Sequence, residues 1–223
     1  MGKSPRRQVV VIGLGQFGMA LTRSLAERGA EVIAIDRESE KIQMASAFAT
    51  EALCFDATDE EALARVNPSR RDVCVCATGD QSKEAAIICT ALLRQLGAPR
   101  IIARANDELH KRILLLVGAH EVVNPEWAFG ERFSNRIVYD RIIEEMSLGT
   151  DLVITEFRIP PVFIGHSLVE LDLRRRYGVI VVAIRRGEKG TVSLPDPNEV
   201  LGSDDILVVV SHEGAVARLL ARG

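Results

Sequence analysis

Three glycines, Gly13, Gly15 and Gly18, stand in the run VVVIGLGQFG, and a carboxylate, Asp36, follows 18 residues after the last of them. The spacing Gly-x-Gly-x-x-Gly closes a β-branched run and opens a helical one. In that setting the glycines divide the work. Gly13 permits a tight turn, Gly15 lets backbone approach a pyrophosphate, and Gly18 lets the helix pack closely on the sheet. The helix that opens beside Gln16 and Phe17 offers free N–H groups and partial positive charge to phosphates. Asp36 ends the second strand, where a carboxylate accepts hydrogen bonds from ribose hydroxyls and repels a 2′-phosphate. Arg37, next to it, either softens that repulsion or simply starts the next helix. The adenosine these residues imply belongs to NAD, ATP or ADP, and they do not separate the three.

Other loops at strand ends complete such a pocket. Asp56-Ala57-Thr58 follows the third strand, Thr78-Gly79-Asp80 the fourth, and Arg104 ends the fifth, within reach of a phosphate. Thr58 and Asp59 also stand where a helix wants a cap.

The elements that must position these residues alternate regularly. QVVVIG, EVIAID, EALCFD, DVCVCAT, RIIARA and EVVNP read as strands. Between them, 17–28, 38–48, 60–66, 82–96 and 108–117 read as helices, three of them stopped by Gly29, Gly97 and Gly118. Strands that are apolar throughout are buried on both faces. Their alternation with helices gives an α/β fold, a doubly wound parallel Rossmann sheet with helices on both sides. Residues 7–124 form this domain. Residues 125–149 read as a helical crossover and dimerisation linker ended by Gly149, of a kind that two subunits can exchange. Residues 150–223 form a small α+β domain. Its strands are DLVITEFRIP, VIVVAIRRG, TVSLP and DILVVVSH, with a short helix over 168–177 and a closing one over 213–221.

Composition narrows the function classes. Hydrophobic residues make up 47% and charged residues 26% of the 223, a globular balance with a packed core. The net charge of −3 and a single Trp argue against nucleic acid as a partner, and the basic Lys3, Arg6 and Arg7 read as a solvated tail. No apolar run approaches the roughly 18–20 residues that span a bilayer. The chain passes from that basic tail straight into a strand with no cleavage site, so a cytoplasmic protein is expected. Cys74 and Cys76 share a strand face, but no second cysteine or histidine pair accompanies them at ligand spacing, so they read as small buried hydrophobes. A hydride-transferring enzyme, an NAD(H)-dependent oxidoreductase, is the main alternative. It needs a proton donor beside the nicotinamide. Tyr139 and Tyr177 are followed four residues on by Ile143 and Val181 rather than by lysine, and His110, His120, His166 and His212 are scattered. His110, on an amphipathic helix, reads as a partly exposed surface residue. A binding module therefore ranks above an enzyme, and no catalytic residue is assigned. A DNA-binding redox sensor would need a basic helix-turn-helix, and no segment supplies one.

GLGQFG, AIDRESEKI, CFDATDEEAL, CATGD, ARANDELHKRIL and GAHEVVNPEWAFGERF together resemble the nucleotide-binding module of RCK-type potassium-transport regulators (regulators of conductance of potassium) of the Ktr and Trk systems. FIGHSLVELDLRRRYGVIVVAIRRG and DILVVVSH resemble the C-terminal module of the same family, so the likeness covers nearly the whole chain. With one N- and one C-terminal module (TrkA-N and TrkA-C), the chain is most similar to Ktr-type subunits. The resemblance implies a ring of dimers, typically an octamer, docked on the inner face of the cell membrane against an integral-membrane potassium transporter or channel. In Ktr-type members ATP favours the conducting form and ADP the inactive one; Trk-type members imply NAD or NADH. Carried over, the nucleotide positions are Gly13, Gly15, Gly18, Asp36, Asp56, Thr78 and Arg104. Gln16, Phe17, Arg37, Ala57 and Gly79 adjoin them. Glu126 matches an acid that takes part in a divalent or sodium site at the subunit interface of some members; a carboxylate is also favoured at a helix start by the dipole. Many Ktr-type members carry Arg where this chain has Gln16, and glutamine brings no charge to a terminal phosphate. The C-terminal module of such proteins can take cyclic di-AMP, which implies a second ligand near Ile180, Ala183 and Arg186. Ile180 replaces a frequent Asn there, and an ordinary buried strand at a dimer interface accounts for these residues somewhat better than a ligand does.

Overall fold

The computed structural model describes residues 6–78, 83–149, 151–187 and 190–221, so Lys3, Gly79, Asp80 and Ser82 lie outside the described residues. The chain divides into two compact units, Met1–Glu126 and Trp127–Gly223.

The first unit is built on six strands, β1 (Gln8–Ile12), β2 (Glu31–Asp36), β3 (Glu51–Cys54), β4 (Val73–Cys76), β5 (Ile101–Arg104) and β6 (Glu121–Val123). They lie in the order β3-β2-β1-β4-β5-β6, every pair parallel. The order reverses between β1 and β4, which in an open parallel sheet is where ligands bind. Both faces are buried, as uninterrupted apolar strands require. Val10, Ile12, Ile33, Ile35, Cys74 and Cys76 pack on one side with Leu63, Leu93 and Leu114, while Val9, Val11, Val32, Ala34, Val73 and Val75 pack on the other with Phe17, Leu25 and Ile42. The covering helices are α1 (Gln16–Glu27), α2 (Ser39–Ala45), α3 (Glu60–Ala64), α4 (Lys83–Gln95) and α5 (Glu108–Leu116). The Asp59 carboxylate accepts from the Glu61 and Ala62 N–H groups and starts α3; that of Asp107 accepts from the His110 N–H and starts α5.

The Asp107 cap fixes the register of α5, and with it the position of His110. The expectation of a partly exposed histidine is corrected: His110 is 3% exposed and Leu109 beside it is 68% exposed. His110 lies one turn before Leu114, which is fully buried, so the two share the inward face. Among the described residues neither imidazole nitrogen has a hydrogen-bond partner, and burial lowers the pKa of the ring.

Helix α6 (Pro125–Val138) is followed by a strand, β7 (Ile142–Ser147), not by further helix, which corrects the expected helical run to Leu148. In IIEEMS the Glu and Met residues favour a helix by propensity. The segment nevertheless pairs with β8 (Leu152–Arg158), and the register shifts between Ile142, which is buried, and Glu144, which is exposed. The second unit continues through α7 (Leu168–Leu171), α8 (Leu173–Tyr177), β9 (Ile180–Arg186), β10 (Val192–Ser193), β11 (Asp205–His212) and α9 (Ala215–Leu220). Its sheet runs β10-β9-β11-β8-β7, with every pair antiparallel. One face carries a core of Phe157, Ile184, Leu207, Leu171 and Leu219. The single helix expected over 168–177 is two, because Asp172 adopts a left-handed φ of 41° between them.

Candidate functional site

A pocket of about 730 Å³ opens in the first unit, at the C-terminal ends of β1, β2, β4 and β5. Pockets of roughly 300–1,000 Å³ hold cofactor-sized ligands. Gly13, Gly15, Gln16, Phe17, Asp36, Arg37, Asp56, Ala57, Thr78 and Arg104 all line it, and so does Glu126. Of the residues expected there, Gly18 does not line the pocket, and Gly79 lies outside the described residues.

The three glycines separate by role. Gly13 has a φ of +89°, and a Cβ on it would stand 2.9 Å from the Thr78 amide nitrogen. On Gly18 a Cβ would fall 1.8 Å from the Gly13 carbonyl oxygen, so this glycine lets α1 meet the turn. Around Gly15, its own chain neighbours aside, no atom of the described residues lies within 4 Å of where a Cβ would be. The space above Gly15 is therefore pocket, and the residue leaves the backbone bare to whatever enters. Gly15 caps α1 without a side-chain hydrogen bond, and no acidic residue occupies the first turn, so the helix N-terminus keeps its positive character toward the pocket.

Asp36 does more than face the pocket. One carboxylate oxygen accepts from the Leu14 N–H at 2.6 Å and the other from the Glu38 N–H at 2.9 Å. The side chain thus ties the glycine turn to the end of β2 and the start of α2. Lys41 approaches it at 3.9 Å while pairing with Glu38 at 2.8 Å. Asp56 accepts from both the amide and the hydroxyl of Thr58, at 2.9 and 2.7 Å, and these bonds hold its carboxyl below the usual carboxylate range. At the end of β5, Arg104 makes a forked ion pair with Glu126, 2.7 Å from Nη2 to Oε1 and 3.3 Å from Nε to Oε2.

Five carboxylates and three cationic side chains line the pocket. Side-chain charge alone therefore does not attract a phosphate; the bare N-terminus of α1 adds a further positive end to the pocket. Among the described residues, no three His, Cys, Asp or Glu side chains are grouped to hold a metal ion, and both oxygens of Glu126 face Arg104.

Sequence reasoning found the strand-end residues and missed the helical walls: Glu38 and Lys41 of the α2 side, and Glu84, Ile88 and Cys89 of α4. Ile88, 45% exposed, sits one turn after Glu84 on a face that has no protein core to cover.

In the second unit the three residues expected at a second ligand all lie on β9. Ile180 borders a shallow groove of about 210 Å³ with Leu168, Leu173, Arg174 and Pro197, whereas Ala183 and Arg186 lie outside it. Arg186 pairs with Glu199 instead, which raises its pKa further.

Residues 9–125 match the TrkA-N domain and residues 154–222 the TrkA-C domain. The chain is 31% identical to the Ktr system potassium uptake protein C of Bacillus subtilis over 217 residues, 97% of each chain. It is 30% identical to the Ktr system potassium uptake protein A of Vibrio alginolyticus over 218 residues, 98% of each. A solved structure of the GsuK channel bound to NAD shares the fold, with a TM-score of 0.63 at 20% identity over 98% of this chain and 40% of that one.

Proposed function

The chain belongs to the TrkA-N/TrkA-C family of Ktr and Trk potassium-uptake proteins, and we propose accordingly that it is the regulatory subunit of a potassium transport system, with the Gly13–Asp36–Arg104 pocket as its adenine-nucleotide sensor. The single observation that carries the nucleotide reading is the bare backbone at Gly15, at the uncapped start of α1 and in one pocket with Asp36. Phosphates would lie over Gly13, Gly15 and the first turn of α1, with Gln16 and Phe17 beside them. The ribose would meet Asp36 and Arg37, and Asp56, Ala57, Thr78 and Arg104 would close the rest. The NAD named with the GsuK channel agrees with a pocket of this size.

Gln16 contributes no charge to a terminal phosphate, which favours ADP or NAD over ATP as the tighter ligand. In this reading the protein performs no chemistry on the nucleotide. It assembles as a ring of dimers, works on the cytoplasmic face of the membrane, and passes the state of the pocket to an integral-membrane potassium transporter or channel. The test is thermal shift of the purified protein with ATP, ADP, NADH and cyclic di-AMP against GTP. The expected result is a selective rise in melting temperature with at least one of ATP, ADP and NADH. Equal shifts for GTP, or none, would defeat the sensor reading.

A further inference from the structure

We infer that Glu126 is an internal competitor for the phosphate site, a carboxylate that occupies Arg104 until a ligand's phosphate displaces it, and so sets which adenine compounds the pocket accepts. The inference rests on the nucleotide reading of this pocket and deepens it.

The Arg104 side chain is 9% exposed and the Glu126 side chain 59% exposed. The guanidinium is fixed at the end of β5 as part of the pocket wall, and its partner is a solvent-facing group on the first turn of α6. A guanidinium presents a planar fork of N–H donors to two acceptor oxygens. The carboxylate of Glu126 fills that fork, at 2.7 and 3.3 Å. A phosphate offers the same two-oxygen face, so phosphate and carboxylate cannot both hold the fork.

The exchange is cheap for the carboxylate. Glu126 is the second residue of α6, where the helix dipole favours a negative charge whether or not Arg104 is bound. Its exposure gives it water as an alternative partner. It is costly for the ligand, which must bring enough negative charge to replace the ion pair. A nucleoside that stops at the ribose never contests Arg104; a nucleotide with a phosphate that reaches β5 does. The Arg104–Glu126 pair therefore discriminates by phosphate and not by base.

Isothermal titration of adenosine, AMP and ADP in EDTA, which removes any bound divalent cation, tests this. For Glu126→Gln, ADP affinity should rise about fivefold, the scale of a partly exposed ion pair, with no change for adenosine. In an Arg104→Gln background the same Glu126→Gln change should give no gain, which separates release of Arg104 from a general change in the field of the pocket. Unchanged or weaker ADP binding by Glu126→Gln overturns the inference. So does an equal gain for adenosine, or a gain that persists without Arg104. If neither the parent chain nor Glu126→Gln binds any adenine compound, the nucleotide reading itself has failed, an outcome distinct from the other three.

Discussion

At the scale of single residues, Asp36, proposed above to meet the ribose, is also a brace. The residue is 9% exposed, and its carboxylate accepts two backbone N–H bonds. Asp36→Ala should abolish nucleotide binding and also cost about 1–3 kcal/mol of stability, because the Leu14 N–H is left buried and unpaired. Chemical denaturation beside titration calorimetry separates the two effects; loss of binding with unchanged stability would show that the brace is dispensable. His110 makes a prediction in pH. Burial lowers its pKa from the ordinary 6.5, so between that value and the lower folded one the unfolded chain holds more protons. The contribution of this residue is therefore intact above about 6.5 and is lost as pH falls through the folded value. His110→Leu should flatten the fall in urea midpoint between about pH 7.5 and pH 5, the range that brackets an ordinary histidine; an unchanged slope would remove His110 from the acid response. The sequence showed His110 on an amphipathic helix, but which face turned inward depended on where the Asp107 cap set the first turn.

At the scale of elements, the glycine turn is a junction between β1, α1 and the loop after β4. Gly18→Ala places a methyl against the Gly13 carbonyl, and overpacking of this kind costs about 1–3 kcal/mol. A urea midpoint equal to that of the parent chain would mean that α1 can shift without penalty. Most of the first unit was legible because its strands are apolar throughout and three of its helices end in glycine, signals that do not depend on distant partners. The pocket was legible in the same way, since parallel strands deliver their C-terminal residues to one edge. What could not be read was pairing at a distance. Ile142–Ser147 has the composition of a helix and becomes an edge strand because β8 supplies a partner. Asp172 breaks a helix that propensity would have continued. Glu126 looked like a helix-start carboxylate and proved to reach Arg104, 22 residues back in the chain.

At the scale of the whole molecule, α6 has the character of a surface meant to be covered. None of its residues is buried, and Phe129, Phe133 and Ile137 follow one another at one-turn spacing on one face, with the two phenyl rings stacked 5.5 Å apart. We propose this exposed apolar stripe as an association surface between copies of the chain. Ile137→Asp should lower the molar mass seen by light scattering, and an unchanged mass would place the association elsewhere. Among the proposed events one is central: the entry of an adenine nucleotide at the switch point between β1 and β4. Calorimetric titration of the purified chain with ADP, ATP and NADH, each against GTP, tests it most directly. One saturable site per chain for at least one of the adenine ligands is predicted, lost in Asp36→Ala. Saturable binding that survives Asp36→Ala, or binding no tighter than that of GTP, would contradict it.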